Sequence, residues 1–263
     1  MPEVNEFGQR VGDVVPGWTP RAWPTPVRLE GRYVVLEPLS VAHAPALFAA
    51  LCDEASRSLW TYRPTEPPAD VAQMTALVAA ILVTPVCETW AVLPTTGERA
   101  GAAAGLTSFM RIEVATGQTE VAGVLYAHHL QGTPASTEAT HLLMRWAFDD
   151  LGYRRFEWKC DSLNEPSRRA AARLGFTHEG RFRRHLITKG RNRDTDWFSV
   201  TDSEWPAVRA IHEAWLDPAN FDASGVQRRA LGGSLGGPPG GSPSGPLGGS
   251  PGGSLGGSLV WPE

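Results

Sequence analysis

Cysteine is scarce in this chain. Cys52, Cys87 and Cys160 are widely separated in 263 residues and form no Cys-x-x-Cys pair or Cys/His ligand spacing, so neither a disulfide framework nor a zinc site is indicated. Three unpaired thiols suit a reducing, cytoplasmic compartment. A long apolar run is missing too: the longest, residues 76–83, is far too short to cross a bilayer. The opening MPEVNEFGQR does not have the basic-then-apolar order of a signal peptide. A formal charge of -4 leaves no bulk electrostatic footprint for nucleic acid. Also absent are the Gly-Lys-Ser/Thr of a triphosphate-binding loop and the three spaced glycines of a dinucleotide fingerprint. The expectation is a protein with no metal, no membrane partner and no nucleic-acid partner.

What is present is material for one sizeable core, with 42% hydrophobic and 20% charged residues. Residues 1–23 read as an extended N-terminal strap, and the proline-rich stretch 17–31 with Trp18 and Trp23 suits chain laid over a core rather than a helix. Residues 223–263 are Gly/Ser/Pro-rich and read as a disordered tail. Between these ends the hydrophobic period alternates. It predicts a strand at 32–39, helices at 41–54 and 68–82, and strands at 88–93, 104–112 and 119–126. There follow a long amphipathic helix at 136–152, a strand at 154–160, a helix at 164–175 and a hairpin at 176–201 around Lys189-Gly190. A last helix at 202–216 is expected to be capped by Asp202 or Ser203. This order makes a single α/β domain, spanning 24–217, on a mixed and mostly antiparallel sheet flanked by helices.

The stretch LQGTPASTEA, residues 130–139, joins a strand to the strongest helical pattern. Unpaired N–H groups of such a turn, backed by the positive end of the helix dipole, form an anion site. Thr133, Ser136 and Thr137 add hydroxyls, and Glu138 reads as a local cap partner. An ordinary capped helix entry explains the same residues equally well. Pro134 removes one donor and forbids a left-handed backbone at its position.

Three features together carry a resemblance: Gln131-Gly132-x-x-x-Ser136 before a helix, Asn164-x-x-Ser167 running on to Leu174-Gly175-Phe176 and Glu179-Gly180, and the closing GRNRDTDWFSVTDSEWP of 190–206. The ordered set resembles the GNAT acetyltransferase superfamily, in particular its RimJ/RimL-type N-acetyltransferases, over roughly residues 24–217. The resemblance implies acetyl-CoA as co-substrate, and direct transfer of its acetyl group to a primary amine through a ternary complex. The acceptor is a protein N-terminal α-amino group or a small-molecule amine, and the enzyme a monomer or homodimer. By the same resemblance the backbone around Gln131, Gly132, Thr133, Ala135, Ser136 and Thr137 holds the pyrophosphate. The strand edge at Leu125 and Tyr126, with Asn164 opposite, holds the pantetheine arm. Glu120 stands where relatives carry an acid, and Ser167 where they place a donor to the leaving thiolate. His185 occupies a strand position at which some relatives have a glutamate. For each residue a plainer role stays open: Glu120 as an exposed strand-end carboxylate, Ser167 as part of a helix cap, His185 as a strand-face hydrogen-bonding group. A catalytically silent CoA-binding module is the alternative function. Cys160, with no base or cation beside it, reads as core filling rather than a nucleophile. A pantetheine slot requires the strands carrying 120–126 and 156–160 to part.

Overall fold

A computed structural model describes residues 3–97 and 99–232 of the chain. Near the N-terminus β1 (Glu3–Val4) and β2 (Arg10–Val11) form a small antiparallel ribbon. The extended segment after it is tied across the domain by long-range bonds. Trp18 Nε1 donates to Ala115 O (2.8 Å), Tyr153 Oη to Ala22 O (3.0 Å) and Trp90 Nε1 to Val27 O (2.8 Å). Indole and phenol donors serve here as clasps, so the segment holds its place without entering the sheet.

The main sheet has eight strands. They are β3 (Leu29–Glu30), β4 (Val34–Pro38), β5 (Cys87–Pro94), β6 (Gly105–Glu113), β7 (Gln118–Tyr126), β8 (Arg155–Asp161), β9 (Thr177–Thr188) and β10 (Arg191–Thr201). Their spatial order is β3-β4-β5-β6-β7-β8-β10-β9, and the pairing is antiparallel except for β7 with β8. The expected mixed, mostly antiparallel α/β domain is what the chain forms. Lys189 and Gly190, at φ +50° and +71°, make the tight turn between β9 and β10.

Helices α1 (Ala44–Leu51) and α2 (Val71–Leu82) cover one face of the sheet; α3 (Pro134–Arg145), α4 (Glu165–Arg173) and α5 (Trp205–Leu216) lie against the other. Asp70 caps α2 by accepting from Gln73 N. The long helix begins at Pro134 and not at Ser136, so the proline is its first residue, where a missing N–H removes only a donor that the helix itself would leave unused. It continues into a π-type turn at Trp146–Asp150. The last helix also starts later than expected. Glu204, not Asp202 or Ser203, precedes it, and the Glu204 carboxylate reaches back to Thr201 N (2.8 Å).

The core between the sheet and α3/α5 is aromatic. Phe109 stacks on Trp146 with ring centroids 5.6 Å apart and meets Phe156 edge-on at 5.5 Å; Phe148 stacks on Trp205 at 5.3 Å. Glu138 is not a local cap. Its buried carboxylate accepts from the N–H groups of Arg32 (2.9 Å), Tyr33 (2.6 Å) and Val34 (3.0 Å), bolting α3 to the turn between β3 and β4. Gly31 sits so close to that carboxylate that a Cβ would collide with it.

The C-terminal expectation requires revision where it can be compared. Residues 223–232 pack back on the domain: Phe221 bridges to Gln227, Trp215 Nε1 donates to Gln227 Oε1 (2.8 Å), and Leu231 is buried. The remainder of the expected tail, 233–263, lies outside the described residues. Among the described residues no helix is long and apolar enough to cross a membrane.

His141 on α3 and His212 on α5 are buried with ring centroids 5.5 Å apart, and burial pushes both imidazoles down from 6.5 to about 4. The unfolded chain therefore takes up these protons at higher pH than the folded one, and stability is lost as pH falls from about 6.5 through about 4. Urea titrations at pH 7 and pH 5 should differ by on the order of 1–3 kcal/mol. A folded double variant His141→Phe, His212→Leu should show a clearly smaller difference.

Candidate active site

The site is built around an interruption of the sheet. The β7–β8 ladder runs from Gln118 opposite Arg155 to Val121 opposite Trp158 and stops, although β7 continues to Tyr126 and β8 to Asp161. Beyond that point β7 stays with β6, and β8 stays with β10 as far as Asp161 opposite Thr195. The strands part from Ala122 and Lys159 onward, two pairs later than the expected opening over 120–126 and 156–160 begins. A bulge assists: Leu106 and Ser108 on β6 face Leu125 and Ala122 on β7, which leaves an extra residue at Gly123-Val124. Gly123 has φ +63°, and a Cβ there would lie 2.9 Å from Ser108 Oγ.

Side chains alternate across the sheet, so the opening has two distinct sides. On the α4 side, Asn164 Oδ1 caps the helix by accepting from Ser167 N (3.2 Å), and Ser167 Oγ accepts from Trp158 Nε1 (2.9 Å). Trp158 is the last β8 residue paired with β7, so Ser167 stands at the fork. That hydroxyl accepts from Trp158 and has the Cys160 sulfur as a second neighbour, toward which its own proton can be donated. Cys160 is buried beside it with its thiol pushed up to about 11 by burial, as core filling requires.

On the other face, Glu120 is not an exposed strand end. It is 4% exposed, and its Oε2 meets both the Arg111 guanidinium and Lys159 Nζ, the latter at 3.1 Å. Lys159 also contacts Glu157 Oε2 (2.8 Å) and lies 3.6 Å from the centroid of the Trp197 ring. Trp197 Nε1 is buried with no hydrogen-bond partner among the described residues. Next to this cluster His185 Nδ1 lies 3.0 Å from Thr195 Oγ1. Burial first, then the cations Arg193, Arg111 and Lys159, hold the His185 imidazole below its usual value. Two backbone irregularities aim these groups. Arg111 has φ +49° at a bulge in β6, and Arg184, next to His185, has φ +52° where two extra residues enter β9. A small cavity on this face, lined by Arg63, Ile81, Cys87, Met110 and Gly123, opens beside the Glu120 row.

At the top of β7, the 130–139 loop sets out its donors differently from expectation. The hydroxyls of Ser136 and Thr137 turn inward to Thr133 O (2.9 and 3.5 Å), and Thr133 Oγ1 donates to Leu130 O (2.7 Å) while accepting from Ser136 N. Gln131 spends its N–H on Ala127 O and His128 O (3.2 Å each), and its side-chain amide binds Tyr126 O (2.9 Å). That leaves the N–H groups of Gly132, Thr133 and Ala135, which meet no acceptor among the described residues. Gly132, at φ +70°, makes the turn that exposes them. Leu125 is buried, and Tyr126 places its hydroxyl in the core, so both offer only backbone to the opening.

Two basic side chains of the β9–β10 hairpin are held within the protein. Arg181 pairs with the buried Asp196 (2.6 Å), and Lys189 donates to Trp60 O (2.9 Å) and meets Glu66 (3.0 Å). His128 is exposed and binds Ala55 O (3.0 Å). Arg111, Lys159 and Trp197 are site residues that sequence reading passed over. The alternation in RRFEWKC, with Phe156, Trp158 and Cys160 on one side and Glu157 and Lys159 on the other, was the available signal. Substituting Gly123 by Ala places a Cβ on a left-handed backbone against Ser108. It should cost ~1–2 kcal/mol in urea unfolding, with no loss expected for Ala122→Ser as control.

Comparison with known proteins agrees with this geometry. Residues 34–177 match the acetyltransferase (GNAT) domain. The crystal structure of a GCN5-related N-acetyltransferase from Brucella melitensis superposes with a TM-score of 0.79 at 44% identity, covering 82% of this chain and 97% of that one. YdaF of Bacillus subtilis, provisionally named a ribosomal N-acetyltransferase, is 29% identical over 105 residues, 40% of this chain. The chain spans about half the length of the curated relatives it matches, 57% for YdaF. Microcin C7 self immunity acetyltransferase MccE, solved with acetyl-CoA and AMP, shares the fold with a TM-score of 0.56 at 19% identity over 65% of this chain and 93% of that one. A sheet that forks beside the start of α3, in a chain matched by this domain over more than half its length, belongs to the GNAT acetyltransferase family.

Proposed function

We propose that the protein is an acetyl-CoA-dependent N-acetyltransferase, carrying the acetyl group directly to a primary amine in a ternary complex. The observation that carries this reading is the fork of β7 and β8, with Ser167 on one side of the sheet and Glu120 and His185 on the other. The residues present fit the co-substrate. Three N–H groups at the start of α3, without a partner among the described residues, suit its pyrophosphate, and the β7 edge at 122–126, released from β8, suits an amide-bearing arm. MccE, a relative in fold, is known with acetyl-CoA bound.

Acetyl-CoA supplies an activated acetyl thioester. The chain's own residues then have three tasks: to present a neutral amine, to take its proton, and to return a proton to the departing thiolate. Ser167, with its oxygen already accepting from Trp158, donates its hydroxyl to the thiolate. Arg111 and Lys159 disfavour a further cation nearby, so the amine enters neutral. This is easier for an α-amino group, with a pKa near ~8, than for a lysine near ~10.4. His185, held below its usual value, takes the proton directly or through water. Glu120, whose Oε2 is committed to two cations, orients the amine. The likeness to YdaF, provisionally named a ribosomal N-acetyltransferase, supports a ribosomal acceptor over a small-molecule amine.

Calorimetry should give acetyl-CoA binding at micromolar concentration, and thiol release should follow on a panel of peptides and small amines. Absence of binding overturns the reading; binding with no release on any acceptor favours a silent CoA-binding module. Ser167→Ala should lower kcat by about 10- to 100-fold with CoA affinity retained. Pro134→Gly should change CoA affinity less than about tenfold, because an N1 proline withholds a single donor. As base His185 must be uncharged, so kcat/KM expressed per neutral amine should fall only as pH drops below the ordinary ~6.5 of an imidazole, and His185→Gln should abolish that limb.

A further inference from the structure

One ammonium is buried at the fork. Lys159 is the first β8 residue beyond the last β7 pair, and its side chain is 4% exposed. Burying an ammonium costs several kcal/mol, and a well-packed apolar residue in place of a buried ion pair is often no less stable. Stability alone is therefore a weak reason for a lysine here. Its surroundings offer a stronger one. Nζ is fixed from three directions: by Glu120 Oε2 from β7, Glu157 Oε2 from its own strand, and the face of Trp197 from β10. Trp197 in turn lies 6.1 Å, centroid to centroid, from the His185 ring, which puts the ammonium within about 10 Å of that imidazole.

We infer that Lys159 is a positioning residue of the transfer site: its ammonium holds the Glu120 carboxylate where β7 and β8 part and presents a fixed positive charge to His185. The word transfer rests on the N-acetyltransferase reading above; the electrostatic claim does not. The groups that bear on His185 are Arg111 from β6, Lys159 from β8, and Arg193 with the Thr195 hydroxyl from β10. Phe182 and Trp197 supply its aromatic walls. Glu120 and Glu157, the nearby carboxylates, are both held on Lys159. Removing the ammonium takes away one cation and leaves each carboxylate with a single partner, Glu120 with Arg111 and Glu157 with Arg155. Both changes favour a charged imidazole.

The test follows the His185 ring by NMR across pH in the full-length protein without ligand, in wild type, Lys159→Met and Lys159→Arg. In wild type the midpoint should lie below the ordinary ~6.5. In Lys159→Met it should rise by about half to one pH unit, and in Lys159→Arg it should return to the wild-type value. The acid limb of kcat/KM, expressed per neutral amine, should move with it, which a purely structural lysine would not cause. If Lys159→Met does not fold, Lys159→Gln carries the same expectation, since it keeps a donor for Glu120 and loses the charge. An unmoved midpoint in a folded neutral variant, or a wild-type midpoint at or above the ordinary value, overturns the inference. Absence of acetyl-CoA binding would instead defeat the acetyltransferase reading while the titration still decides the role of Lys159.

Discussion

Everything in this domain turns on the failure of two neighbouring strands to stay paired. β7 and β8 share four residue pairs and then follow different partners, β7 with β6 and β8 with β10. An unpaired strand edge inside a sheet leaves backbone donors and acceptors unsatisfied, a cost that a fold retains only where something else meets those groups. The bulge at Gly123 turns β7 away, the left-handed glycine makes the turn possible, and α3 begins just past the end of the freed strand. Fork, bulge and helix start are one arrangement. Glu138, three backbone N–H groups deep in the β3–β4 turn, keeps α3 from drifting away from it.

On the α1/α2 face the same fork is closed by charge. Arg111, Glu120, Lys159 and Glu157 form a chain of opposite charges in which the central members are nearly inaccessible to water. Such a chain is costly to assemble and more costly to break, because each broken link strands a buried charge. Its geometry is secured by two strained backbone positions, Arg111 and Arg184, and by the aromatic walls of Phe182 and Trp197. Burial and then the cations on this face keep the neighbouring His185 imidazole below its usual value, and a neutral base is what acyl transfer to an amine requires.

Much of the architecture was legible in the sequence because its causes are local. Periods of two and 3.6 located the sheet strands and helices, and Lys189-Gly190 marked its hairpin. Asn164-x-x-Ser167 announced a cap that the structure contains. What escaped depends on contacts between residues far apart in the chain. Glu138 looks like a capping-box partner until the β3–β4 turn, more than 100 residues away, arrives to claim it. Glu120 looks like an exposed acid until Arg111 bends onto it from a bulge that no local motif specifies. The hydroxyls of Thr133, Ser136 and Thr137 suit a phosphate on paper, yet each finds a nearer carbonyl at the helix entry. The ordering of 223–232 depends on Trp215 and Gln227, a pairing that composition does not reveal.

The central claim is that acetyl-CoA occupies the fork, with its phosphates at the start of α3. Backbone hydrogen–deuterium exchange with and without acetyl-CoA tests this most directly. Protection should appear at 122–126, at 132–135 and around 164–167, while the strap and the turn between β3 and β4 stay unchanged. Binding accompanied by no protection in those three segments would contradict the account.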